Sequence, residues 1–128
     1  MLKSLGMDVY SNVVVGELEI DLVALEDGGS RPLIYVVEVK SRPKQKLLHQ
    51  LLKRVSLSDY VYAALPVRHY SYLLEVPEPL GSLAVDANHQ VVYEIKKPTY
   101  IGNGWRLLEI MRSRPPRTDL REPGNALG

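Results

Sequence analysis

An α/β fold, with a mixed central β-sheet flanked by helices, is what the order of apolar periods along this chain predicts. Three observations carry it. Three successive apolar runs, Met7 to Val15, Leu18 to Leu25 and Leu33 to Lys40, follow one another across short glycine-containing turns, as an antiparallel meander does. The period then lengthens, and Leu47, Leu48, Leu51, Leu52 and Val55 recur at helical spacing. A fourth strand-like run, Ser58 to Leu65, follows that helix, and a strand reached across a helix can pair parallel with its predecessor.

The elements read as follows. Leu2 to Gly6 resembles the end of a helix closed by a C-terminal glycine. The first strand is rich in valine and tyrosine, and Glu26-Asp27-Gly28-Gly29-Ser30 turns the second strand into the third. Pro43 suits the first turn of the helix. At 100° per residue its five apolar side chains form one stripe for packing on the sheet, with Lys46, Gln50 and Lys53 on the opposite side. Pro66 ends the fourth strand, and Val67 to Val76 reads as a short helix stopped by Pro77 and Pro79. Leu80 to Asp86 and Gln90 to Lys96 form a C-terminal β-hairpin, and Trp105 to Met111 a last helix after Gly102-Asn103-Gly104. From Arg112 onward no apolar period remains. Residues 1–111 therefore read as one domain, and 112–128 as a flexible basic tail whose four arginines could grip nucleic acid.

Composition narrows the class. The 128 residues are 45% hydrophobic and 24% charged, the balance of a soluble globule with chain enough for a core. No apolar run approaches a membrane span and no secretory signal opens the chain. With no cysteine, disulfides and thiolate metal sites are excluded; a reducing cytoplasm is the expected location, although cysteine absence fits any compartment. The net charge of +1 hides an asymmetry. Residues 1–39 hold seven acids against two bases, whereas 40–58 hold six bases and no acid.

Charge also stands where charge is expensive. Glu17, Glu19 and Asp21 occupy one strand-like run, and Glu38 and Lys40 another; residues two apart share a face. Asp21 precedes Leu-Val-Ala-Leu and Glu38 interrupts Ile-Tyr-Val-Val-Glu-Val, so each carboxylate needs a partner. A hard divalent cation is one such partner. The two acidic ends meet only if the register or a local distortion brings them together. Taken singly, a strand-end aspartate and a cross-strand Glu/Lys ion pair are the simpler readings, because Glu-x-Lys is common by chance. A basic helix beside an acidic site is, however, what a metal-dependent enzyme acting on a polyanion requires.

The pattern Glu19-Ile20-Asp21, a turn, then Glu38-Val39-Lys40 and a basic helix resembles the PD-(D/E)XK nucleases, which share the restriction endonuclease-like fold. Within them, GELEIDLVA (16–24) and EVKSR (38–42) look most similar to archaeal Holliday junction resolvases and related repair nucleases. The likeness covers Met1 to Pro66, about half the chain, and implies an α-β-β-β-α-β core. It implies a metal-dependent endonuclease on DNA, on branched or damaged DNA in repair or recombination. Asp21, Glu38 and the Val39 carbonyl would hold Mg2+, with Mn2+ able to substitute, for phosphate polarisation and water activation. Lys40 would stabilise the developing negative charge or orient the water. Glu17, Glu19 and Gln50 are supporting candidates, and Arg42, Lys44, Lys46, Lys53 and Arg54 would contact nucleic acid. A homodimer would place two sites on two strands. No organic cofactor and no membrane partner are implied.

Two departures from the family pattern stand out. Ile20 replaces the proline, and Met1 to Gly6 carries none of the acid that family members place on a helix before the first strand. Three explanations follow: a start further upstream, substitution by Glu17 or Glu19, or lost catalysis. Two alternatives accordingly stand beside a DNA endonuclease: a catalytically impaired module that binds nucleic acid or a protein, and an RNA-directed nuclease. Other chemistry is weaker. His49, His69 and His89 lack metal-ligand spacing, and Ser41, Ser56 and Ser58 lack a nucleophile elbow.

Overall fold

In a computed structural model, residues 7–113 and the backbone of 117–121 are described. The described residues form seven strands and three helices: β1 (Asp8–Val15), β2 (Leu18–Asp27), β3 (Pro32–Val39), α1 (Gln45–Val55), β4 (Tyr60–Pro66), α2 (Tyr70–Leu74), β5 (Gly81–Asp86), β6 (Val91–Lys96), α3 (Gly104–Ser113) and β7 (Arg117–Arg121), with a 3-10 turn at Val67–His69 before α2. The strands form one mixed sheet in the order β6-β5-β4-β3-β2-β1-β7. The chain is thus α/β, with a mixed sheet flanked by helices. The expected helix end at Leu2 to Gly6 lies outside the described residues.

The meander is present: β1, β2 and β3 pair antiparallel in sequence order. Gly29 takes a left-handed φ of 90° in the turn, and the Asp27 carboxylate accepts its N–H at 3.0 Å. Across α1 the direction changes, and β3, β4 and β5 run parallel. Helix α1 sits on the sheet through Leu47 and Leu51, which meet Val61, Ala63 and Leu65 of β4. Helix α3 buries Leu107 against Val13, Val15, Ile20, Ile34 and Val36. Strands β5 and β6 form the expected hairpin.

Two expectations are corrected. Residues 112–128 read as a flexible basic tail, but α3 runs on to Ser113, and Arg117–Arg121 pair antiparallel with β1. Strand pairing is made through backbone groups, so a polar segment can cover the outer side of β1 as well as an apolar one. Leu52 was expected in the apolar stripe of α1, yet it is 55% exposed. At 100° per residue it falls at the stripe's margin, and Arg54 occupies the buried face instead.

One irregularity positions the site. Along β1, Val9 packs with Ala24 and Val37, while Val13 and Val15 pack in the cluster containing Leu107. Strict alternation would keep all three valines on one face. The switch falls at Asn12, whose φ is 50°, a left-handed value that asparagine tolerates better than most residues. In β2 the same change falls between Ile20 and Val23, which share a cluster although three residues apart. The ladder pairs Ser11 with Leu22 and Val13 with Ile20 but leaves out Asn12 and Asp21, which lie opposite each other at the break.

Candidate functional site

The break frees Asp21 from ordinary strand pairing. The β2–β3 ladder ends at Leu22 and Val37, so its continuation would set Asp21 opposite Glu38. At that point the Asp21 Oδ2 accepts the Val39 N–H at 2.9 Å, in place of a strand carbonyl. The N–H and C=O of one extended residue project to the same side of its strand, so the Val39 carbonyl also faces β2. The distortion needed to join the two acidic ends is therefore built into the sheet.

Glu38 alternates with Ile34 and Val36 and so points to the helix-covered face, where it is 1% exposed. Its Oε1 accepts a hydrogen bond from Arg54 Nε at 2.9 Å. Burial, then the hydrogen bond and charge of neighbouring Asp21, push the Glu38 carboxyl up to about 7, against the opposing pull of Arg54. Two carboxylates in contact resist joint ionisation, and a cation between them relieves that cost.

Arg54 departs from the expected nucleic-acid contact: it is only 8% exposed and its guanidinium is committed inside the protein. Nη2 donates to the Glu19 carbonyl at 2.7 Å while Nε holds Glu38, so one side chain from α1 spans β2 and β3. The helical period carried a signal: Arg54 lies seven residues after Leu47 and three after Leu51, both buried.

The remaining assigned residues separate into those near the pair and those apart from it. Lys40 lies one residue past β3, its N–H bonded to the Ala64 carbonyl at 3.0 Å. It lines an open groove of about 570 Å3 with Lys44, Lys46, His49, Gln50 and Lys53. Four of the assigned cations and Gln50 are thus brought to one surface. Arg42 is exposed in the connecting loop, and Arg68, which sequence reading passed over, donates to the Ser41 carbonyl of that loop at 3.2 Å. Glu19 is exposed and borders a shallow recess of about 310 Å3 with Asn12 and Asp21. Glu17 sits apart, in the β1–β2 turn beside Ile110 and Ser113 of α3.

The donors at the pair are few. Among the described residues no group of three or more histidines, cysteines or acids is arranged to hold a metal. Two carboxylates and a backbone carbonyl are too few for a closed zinc or calcium cage. A set of that size could serve only an ion that completes its shell with water and substrate oxygens.

No protein-family model matches the chain, and no curated relative does. Its fold is similar to a solved structure of a protein of unknown function from Silicibacter pomeroyi, with a TM-score of 0.63 and 19% identity over 88% of this chain and 76% of that one. At that identity the likeness speaks to fold alone. Among the described residues no helix is long and apolar enough to cross a membrane.

Proposed function

We propose that the chain is a metal-dependent endonuclease of the restriction endonuclease-like class, hydrolysing phosphodiester bonds in branched or damaged DNA. The observation that carries the reading is Asp21, bonded to the Val39 N–H at 2.9 Å beside buried Glu38, at the end of the strand that leads into Lys40 and the lysine-lined groove. Asp21, Glu38 and the Val39 carbonyl would hold Mg2+, which supplies phosphate polarisation and a lowered water pKa. Lys40 would balance the negative charge that grows on the scissile phosphate. The groove would hold the flanking backbone, with Lys44, Lys46 and Lys53 contacting phosphates. Helix α1 favours this further: it begins at that groove without a side-chain cap and without an acid in its first turn. A homodimer would bring two such sites to two strands.

A second reading has an observation of its own. Arg54 already neutralises part of Glu38, and the described residues offer no third acid to the pair. Both features suit a module that binds nucleic acid with catalysis impaired.

A cleavage panel separates the readings. Labelled single-stranded DNA, duplex, flap, four-way junction and RNA are incubated with Mg2+ or Mn2+ and wild type, Asp21→Ala or Lys40→Ala. The endonuclease reading expects cleavage of a DNA substrate, falling at least about 100-fold in both variants. Cleavage of RNA alone would move the assignment to an RNA-directed enzyme. Salt-sensitive binding with no cleavage of any substrate would establish the impaired module.

A further inference from the structure

We propose that Arg54 limits the acidic pair to a single divalent cation, by occupying Oε1 of Glu38 as a permanent counter-charge carried by the protein itself. The inference rests on the metal-dependent reading above and specifies the cofactor stoichiometry of the same site.

The geometry closes one half of the site. Arg54 is fixed at both ends of its fork, to Glu38 Oε1 at 2.9 Å and to the Glu19 carbonyl at 2.7 Å. Leaving either acceptor would break a bridge between β2 and β3 and strand a buried guanidinium, which has no neutral form to retreat to. Asp21 Oδ2 is likewise engaged, by the Val39 N–H. The carboxylate oxygens of the pair that accept from neither Val39 nor Arg54 are Oδ1 of Asp21 and Oε2 of Glu38. A two-metal site places its ions about 4 Å apart and needs enough anionic oxygen to hold both. Here a second ion on Glu38 Oε1 would have to share that oxygen with the Arg54 guanidinium, whose positive charge offsets one of the two negative charges that the fully ionised pair would carry. Among the described residues, no additional acid completes a larger cluster. The lysines of the adjoining groove add further positive charge on the side of Lys40. One hard cation, with water filling its shell, is what this charge and donor set accommodates.

Titration of the full chain with Mn2+ by calorimetry, with a parallel count by electron paramagnetic resonance, tests the inference. Wild type is expected to take one Mn2+ per chain. Arg54→Gln keeps an amide donor for Glu38 and removes the charge, and is expected to bind its first Mn2+ about tenfold tighter. Arg54→Lys keeps the charge and is expected to stay within about threefold of wild type. Two Mn2+ per wild-type chain would overturn the inference, whatever the variants do. So would unchanged count and affinity in Arg54→Gln, shown to be folded by circular dichroism and melting. Binding by neither wild type nor Arg54→Gln would overturn the metal-dependent reading itself. Binding by Arg54→Gln alone would also overturn that reading for wild type, while sustaining Arg54 as the occupant of the cation's place.

Discussion

Among the described residues two carboxylates are buried, and they are treated in opposite ways. Asp59, just before β4, is fully enclosed and receives four donors: both terminal nitrogens of Arg31, at 2.8 and 2.7 Å, the Ile34 N–H at 2.8 Å and the Gly104 N–H at 3.1 Å. Glu38, at the far end of β3, has one guanidinium and another carboxylate for neighbours. Burial by itself raises either group. At Asp59 the Arg31 pair and the two backbone donors overcome it and leave the carboxyl below its ordinary value. At Glu38 the Asp21 carboxylate adds to it, and Arg54 offsets only part. A carboxylate that is satisfied in every direction is a structural tie, joining β3, β4 and the start of α3. One that is buried beside its own kind keeps an unmet demand for positive charge, which is the property a cation site needs.

Breaking the satisfied member should have the largest effect on stability. Asp59→Ala leaves Arg31 without its partner and strands two buried backbone donors, so it is expected to cost about 3 kcal/mol, read as a fall in the urea midpoint. Glu38→Gln should cost less, since it removes a repulsion along with an attraction. The break at Asn12 comes next. Asn12→Val puts a β-branched residue at a φ of 50° and is expected to cost about 1–2 kcal/mol, whereas Asn12→Gly should be close to neutral. Equal melting of the two variants would contradict the role given to that backbone conformation.

The next effect is one of slope. The folded chain keeps the Glu38 proton up to about pH 7, while the unfolded chain releases it near the ordinary 4.5. Between those values the folded state binds more protons, so this group makes stability fall as pH rises. Asp59 works in the other direction: its contribution is present above its unfolded value and is lost as pH falls through its lowered folded one. Urea unfolding of wild type and Glu38→Gln across pH 4.5–7 should therefore show curves whose difference depends on pH, with the downward component absent from the variant. Parallel curves would show that Glu38 titrates normally.

Much of the fold follows from local periods. The three meander strands, α1, β4 and the β5–β6 hairpin each occupy the runs whose apolar spacing predicts them. What local reading could not supply was long-range. Arg117–Arg121 pair with β1 because an edge was open, a circumstance set by the sheet's order and not by those five residues. Arg31 and Asp59 are 28 residues apart and meet only because β3 and β4 are parallel neighbours. At the candidate site, Asp21, Glu38 and Lys40 were legible as charge inside strand context, and Lys46, Gln50 and Lys53 as one helical side. Arg54 was legible too, since its spacing from Leu47 and Leu51 places it on the buried face. Its charge argued for solvent, and only the presence of Glu38 beneath α1 makes burial favourable. Asn12 shows the limit most clearly: its tolerance of left-handed backbone is a property of the residue, but its place opposite Asp21 is a property of the register.

The proposed cation site predicts that Glu38 beside Asp21 responds to a divalent cation while Asp59 does not. Carbon-13 titration of the side-chain carboxyls by NMR, with and without Mg2+, tests it most directly. Without metal, Glu38 should titrate at about 7. With excess Mg2+ it should move down toward the ordinary carboxylate range, while Asp59 stays where it was. A Glu38 that titrates normally without metal, or one that Mg2+ leaves unmoved, would contradict the account.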